Sequence, residues 1–235
     1  MFVNVIRSGL SGALVTPPAP ARLLQRKMPT QKQASATPSH KPVETQPCRL
    51  ASRSPRRDNN TQVMVLSTIG WREQGCRYHH DFEELMLCKG GVMEKFMAHA
   101  DGGAIQQCVY DCRPLKGNVK KSFLSHIGFN NVFLESVNRH DKFPDMCKHA
   151  NSAFEESKRR RSTCRFLFVC TAGCHRSVAV CTIMEKYFEM MGCVVFVEHI
   201  SSPSWATRGL CSSCSLCRQG PSKDQILEDA MRHFD

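Results

Sequence analysis

Apolar positions along the chain alternate between two periods, one suited to strands and one to helices. Val63–Gly70, VMVLSTIG, is a short β-branched and apolar run ending in glycine, the pattern of a buried strand feeding a loop. The polar and aromatic WREQGCRYHHD follows as a loop at that strand's carboxyl end. Phe82–Leu87 and Val92–Met97 read as helical, interrupted by Gly90 and Gly91. Ile105–Cys112 is a second strand, running into Asp111 and Arg113. Asn131–Asn138 is a weakly patterned helix. Asp145–Arg161 is a stronger one, with Met146, Ala150, Ala153 and Phe154 on one stripe and KRRR near its end, where cations complement the helix dipole. Strand RFLFV, helix SVAVCTIMEKYFEMMG closed by Gly192, and strand CVVFVEHI come next. A short helix over Lys223–His233 ends the chain.

Strands alternating with helices predict an α/β fold, a three-layer domain on a mostly parallel sheet with a strand–anion loop–helix unit at 165–191. The chain's 235 residues suit one such domain plus extensions, and no internal repeat is present. The domain is placed at 61–201, after a basic leader at 1–60 and before a Cys-rich tail with its short helix at 202–235. The net charge of +11 first suggests a nucleic-acid partner, but the leader alone carries ten Lys/Arg against Glu44 and Asp58. Residues 1–43 lack Asp and Glu and are rich in Ser, Thr, Ala and Pro. That is the composition of a plastid or mitochondrial transit peptide or of a plain disordered tail, and neither adds to the fold. Without targeting, the expected location is cytoplasmic. The 14 Cys are irregularly spaced and several fall on apolar faces, as Cys108, Cys181 and Cys193 do, so a reducing compartment is expected rather than a disulfide framework. No run of about 18 apolar residues occurs, which argues against a membrane span.

FLFVCTAGCHRSVAV carries the chemistry. The strand ends at Val169 or Cys170, Gly173 permits a tight left-handed turn, and a helix begins near His175. Such a turn points successive backbone N–H groups inward at the positive end of the helix and so seats an anion. Arg176 adds a planar fork that grips a phosphate through two oxygens, and Ser177 a hydroxyl in the first helical turn. The Cys-x5-Arg-Ser spacing resembles the signature of cysteine-dependent phosphatases. That resemblance implies Cys170 as nucleophile, Arg176 as phosphate clamp and an Asp as general acid. Asp145 in KFPD is the first candidate acid, with Asp111 and Asp141 as alternatives; its structural alternative is an N-cap of the following helix.

A second resemblance covers more of the chain. VMVLSTIGWREQG stands where a family's opening strand ends in Ser and Gly; VYDCRPLKGN supplies Asp111, Arg113, Leu115 and Asn118; Cys170, Thr171, Ala172, Gly173, Cys174, His175, Arg176, Ser177 and Val178 match its loop; and a strand ends in His199. From about Val63 to Ser201 the chain therefore resembles the C-terminal domain of the bacterial RNase adapter protein RapZ. The resemblance implies a regulatory, adapter-type domain that binds RNA and a sugar phosphate, works with a nuclease-like protein partner, and has no established chemistry of its own. It also implies phosphate-ligand contacts from Asp111, Arg113, Asn118, the Cys170–Ser177 loop and His199. Two departures stand out. No Gly-x4-Gly-Lys-Ser/Thr exists here, so the nucleotide-binding domain of bacterial members is not carried over, and Ala172 and Cys174 replace a glycine and a polar residue.

Ligands in such sheets bind at the carboxyl ends of the strands, where Ser67, Asp111, Arg113, the Cys170 loop and His199 are expected to meet. Arg113 and Arg176 would balance a phosphate's charge. Asp111 would hold Arg113 or a sugar hydroxyl, or form a plain buried ion pair with Arg113. His175 or His199 would tune affinity between pH ~6 and ~7. His79, His80, His126 and His149 read as loop or surface residues. Cys211-x2-Cys214-x2-Cys217 has ligand-like spacing for zinc or an iron–sulfur cluster and needs a fourth ligand, for which His199 and Cys193 are candidates; the alternative is a free, redox-sensitive tail. For RNA, Lys116, Lys120, Lys121, Lys158 and Arg159–Arg161 would form a basic rim, with Trp71, Tyr78 and Phe123 stacking on bases, unless the run is simply a solvated helix face. Oligomeric state is left open.

Overall fold

The computed structural model describes residues 2–6, 61–74, 82, 96, 105–211, 214, 217 and 221–235. Among them, β1 (Phe2–Ile6), β2 (Val63–Gly70), β3 (Ile105–Asp111), β4 (Thr163–Cys170) and β5 (Val194–His199) form one sheet in the order β1-β3-β4-β2-β5. Strands β2 to β5 are parallel to their neighbours, and β1 is antiparallel to β3 at one edge. The helices are α1 (Asn131–Asn138), α2 (Phe143–Arg159), α3 (Arg176–Met190), α4 (Pro203–Thr207) and α5 (Pro221–Met231).

Chain direction explains the layers. The steps from β3 to β4 and from β4 to β5 cross the sheet one way, and the step from β2 to β3 crosses it the other way. Right-handed crossovers then send the two kinds of connection to opposite faces. On one face, Met64, Leu66, Tyr110, Phe166 and Phe168 pack with residues of α1, α2, α3 and α5. On the other, Ile69, Val109, Leu167 and Val169 pack with Trp71, Phe82 and Phe96, the last two being helical residues of the β2–β3 connection. An α/β domain with a mostly parallel sheet is thus observed. The predicted helices Phe82–Leu87 and Val92–Met97 otherwise lie outside the described residues.

The first face is dense in aromatics. Tyr110 lies edge-on to Phe166 at 5.2 Å and stacks on Phe168 at 5.4 Å, and Phe188 meets both Phe154 and Phe166. Each such ring truncated to alanine would cost ~3–5 kcal/mol, so this cluster holds β3, β4, α2 and α3 as a rigid base beneath the strand ends.

Three expectations are corrected. The leader contributes to the fold at its very start, because Phe2–Ile6 pairs residue by residue with Ile6 opposite Gln106 and Phe2 opposite Tyr110. Its short apolar alternation suits an edge strand, and main-chain pairing there does not depend on the polar residues that follow. The 202–235 tail is no appendage either. Ile226, Leu227, Ala230 and Phe234 are buried in the main core, Phe234 stacks on Tyr187 at 3.7 Å, and residues 58–235 form one compact unit with the chain start. Finally, α2 and α5 each begin two residues earlier than their apolar stripes indicate, at Phe143 and Pro221; Pro144 and Pro221 fit the first turn, where no backbone N–H partner is needed.

Candidate functional site

β2 and β4 are neighbours whose connections leave to opposite faces, and this opens a crevice at their carboxyl ends. Gly70 pairs with Cys170 in the register, so the ends of the two strands are level. The loop from Cys170 to Ser177 turns over this crevice. Gly173 adopts φ +66°, a conformation L side chains rarely hold, and a Cβ on it would lie 2.4 Å from the Gly70 nitrogen and 2.5 Å from Ser201 Oγ. A Cβ on Gly70 would in turn lie 2.6 Å from the Ala172 carbonyl carbon. Two glycines therefore let β2 and the loop touch through backbone alone, and Gly70 N donates to Ser201 Oγ at 2.9 Å.

The side chains divide between lining and support. Cys170 is 2% exposed; its Sγ accepts from Gly173 N at 3.2 Å and lies 3.1 Å from the buried Ser177 Oγ. The Arg176 guanidinium donates to the Arg113 carbonyl and, at 3.4 Å, to Thr171 Oγ1. Arg113 is itself fixed by Asp111, receiving bidentate support at 2.9 Å to each carboxylate oxygen. Asp111 thus holds Arg113, whose carbonyl steadies Arg176. His175 precedes α3 without capping it through a side chain. Its Nε2 donates to the Leu124 carbonyl at 3.1 Å, its ring stacks on Phe133 at 4.6 Å, and burial pulls its pKa below the ordinary value. Cys174 is fully buried with Ile127, Val178 and Trp205, and its carbonyl accepts from Gly128 N at 2.8 Å.

Two supports escape sequence reasoning. Arg208 donates to the Ala172 carbonyl at 3.0 Å and adds positive charge beside the loop. Ser201 ties Gly70 to Gly173. Both lie in polar sequence with no motif around them.

Other expected residues are placed differently. His199 does end β5, with Nδ1 2.9 Å from Thr68 Oγ1 and its ring between Phe129 and Trp205 at 5.4 and 5.3 Å. Burial lowers its pKa to about 4, so it stays neutral at pH 6–7 and does not tune affinity there. Asn118 is exposed in a separate hollow of about 360 Å³ with Lys116, Ser136, Arg139 and His140, and no residue of the Cys170 loop lines it. Ser67 lies inside β2, fully buried, its hydroxyl without a partner among the described residues; Gly70 occupies the strand end. Asp145 is exposed in the first turn of α2, whose N-cap is Lys142, so Asp145 is not the cap. Asp141 is exposed and pairs with His140 at 2.8 Å. His149 bonds Tyr110 rather than solvent, 3.1 Å from its hydroxyl.

Part of the basic rim is paired. Lys158 pairs with Glu155, and Arg159 and Arg160 share Glu156, so two carboxylates offset half the charge of the KRRR run. Trp71 is buried in the second-face core and Phe123 is half-buried; Tyr78, His79 and His80 lie outside the described residues.

A second cluster stands against the back of the loop. Cys211, Cys214 and Cys217 gather with His126, their ligand atoms all within 4.8 Å of one another. His126 Nδ1 lies 3.5 Å from Cys214 Sγ and 3.4 Å from Cys217 Sγ, and those two sulfurs are 3.4 Å apart. Tetrahedral ligation with Zn–S near ~2.3 Å puts sulfurs roughly 3.8 Å apart, so this group can hold a metal ion with small adjustment. The residue that stands in the fourth position beside the three cysteines is therefore His126, read from the sequence as a loop residue; His199 is bonded to Thr68 and Cys193 packs against the main core. A backbone bridge between His126 and Cys211, with Cys211 N donating to the Ser125 carbonyl at 2.7 Å, brings the two segments together.

Among the described residues no helix is long and apolar enough to cross a membrane. No protein-family model matches the chain, and no curated protein matches it.

Proposed function

We propose that this chain is a regulatory protein that binds a phosphorylated ligand, a sugar phosphate or an RNA phosphate, in the manner of the RapZ C-terminal domain. The observation that carries the reading is the Cys170–Ser177 loop at the sheet's switch point, closed by Arg176. Two of the five guanidinium N–H groups are spent on Arg113 and Thr171, which fixes the fork in place and leaves three for a ligand's oxygens. The first-turn amides of α3 have no capping side chain, which suits an anion at that end. Arg208 adds favourable charge, while the charge of Arg113 is paired with Asp111. RNA and a nuclease-like protein are the macromolecular partners this reading expects.

A cysteine phosphatase is the second reading, favoured by one detail. Gly173 N and Ser177 Oγ both reach Cys170 Sγ, the support a thiolate nucleophile needs. Among the described residues the three candidate acids are otherwise placed: Asp111 gives both oxygens to Arg113, Asp141 pairs with His140, and Asp145 is exposed on α2. We therefore place binding before catalysis. For the His126 cluster, the three thiolates and one imidazole select zinc as the resident ion, in a closed structural site.

The deciding experiment is a thermal-shift screen of inorganic phosphate, sugar phosphates, nucleotides and short RNAs, run beside an aryl-phosphate turnover assay. Stabilisation by phosphate ligands that Arg176→Ala removes, without turnover, supports the binding reading. Turnover abolished by Cys170→Ser would overturn it in favour of the phosphatase.

A further inference from the structure

We infer that the metal held by His126, Cys211, Cys214 and Cys217 is a latch that sets the rear half of the Cys170–Ser177 loop, so that metal occupancy regulates oxyanion binding. The inference rests on the zinc and phosphate readings above and adds the link between them.

The link is one segment of chain, residues 124–130. On its outer side it joins the cluster: His126 is a ligand, Ser125 accepts from Cys211 N, and Asn130 Nδ2 lies 3.8 Å from Cys217 Sγ. On its inner side it joins the loop. The Leu124 carbonyl accepts a hydrogen bond from His175 Nε2, Gly128 N donates to the Cys174 carbonyl, and Ile127 packs on Cys174 and Val178. Gly128 lies so close that a Cβ there would be 2.1 Å from the His175 carbonyl oxygen. A displacement of the segment therefore cannot leave Cys174 and His175 where they are.

The turn that leads into the segment, Lys121–Phe123, buries no residue and has no side-chain cap. Within the segment, Ile127 and Gly128 are buried against the loop while Leu124 and Ser125 are exposed and His126 half-buried, so ligation at His126 would add a restraint on the outer half, where few buried contacts hold the chain. Thr171 and Arg176, which would meet a ligand, flank Cys174 and His175 and bond to each other and to Arg113 rather than to the segment. Metal loss is thus expected to weaken oxyanion binding through the loop's shape while leaving the contacting side chains present.

The test uses the full chain, zinc-loaded and then stripped with a chelator. Hydrogen–deuterium exchange is followed in residues 120–130, 170–180 and 163–169, alongside the Kd for inorganic phosphate. The expected result is faster exchange at 120–130 and 170–180, unchanged protection of β4 at 163–169, and at least tenfold weaker phosphate binding, all reversed on adding Zn2+. Cys214→Ser should reproduce the stripped state and Cys193→Ser should not. Zinc bound stoichiometrically with no change in loop exchange on stripping overturns the latch and leaves the metal site standing. Failure to bind zinc at all overturns both. Loss of protection throughout β4 overturns the latch as a local device. A loop that responds to metal in a protein with no phosphate affinity supports the mechanical link and overturns the phosphate reading, and with it the regulatory claim.

Discussion

The Cys170 loop and the His126 cluster sit back to back, yet they are built by opposite routes. The loop is contiguous: eight successive residues run off β4, turn at Gly173 and enter α3, so local backbone geometry places its amides and its thiol, and only its guanidinium is fixed from outside, by the Arg113 carbonyl. The cluster is assembled from two segments, with His126 88 and 91 positions away from Cys214 and Cys217. A site of the first kind has its residues in order as soon as its strand and helix form. A site of the second kind exists only if the whole fold returns two distant segments to one place, and a bound ion would then stabilise that return.

The sharpest break in this comparison is removal of a cluster ligand. If zinc binds only the folded chain, a free concentration 100-fold above Kd contributes about 2.7 kcal/mol. His126→Ala or Cys214→Ser is then expected to lower Tm by about 5–11 °C in zinc buffer and to abolish stoichiometric zinc by elemental analysis. Arg176→Ala, which removes bonds to Arg113 and Thr171 and none to the cluster, should leave both nearly unchanged.

Gly173→Ala is the next largest. Left-handed backbone costs a residue with a Cβ ~1–2 kcal/mol, and the added methyl also meets the Gly70 nitrogen and Ser201 Oγ. A drop in the urea midpoint of matching size, with lost phosphate response but retained zinc, would mark the loop as independent of the cluster in stability.

Arg176→Ala tests the loop's chemistry. Charge-assisted bonds to a phosphate are worth ~1.5–3 kcal/mol each, so affinity should fall at least ~10-fold by calorimetry with little change in Tm without ligand.

The smallest effect concerns pH. Burial lowers His199 to about 4 from its ordinary value of 6.5, so the unfolded chain takes up this proton first as pH falls. Stability should therefore be fully present above pH ~6.5 and decline between ~6.5 and ~4, by about 1 kcal/mol at pH ~5.5. His199→Asn should flatten that part of a urea-midpoint profile, while phosphate affinity between pH 6 and 7 should show no step from this residue.

Legibility followed the same division. The α/β order, the strand ends at Gly70 and Cys170 and the α3 entry were readable because period, glycine and helix start are local features. Asn118 was expected at the site only from the family resemblance, but the chain after Leu115 turns away into the hollow beside α1. His126 gave no signal, because a lone histidine in a polar loop looks like any other until a partner segment arrives. Asp111 and Arg113 were readable as a pair, though not that Arg113's carbonyl would steady Arg176.

By itself the sequence determined most of the elements and the turn from Cys170 to Ser177, since hydrogen-bond periodicity and a left-handed glycine act over a few residues. Only the tertiary structure decided that Phe2–Ile6 joins the sheet, that α5 closes the core and that His126 completes a cysteine triad. Those depend on where crossovers carry distant segments, and burial and pairing across a sheet settle that, which no short stretch of chain encodes.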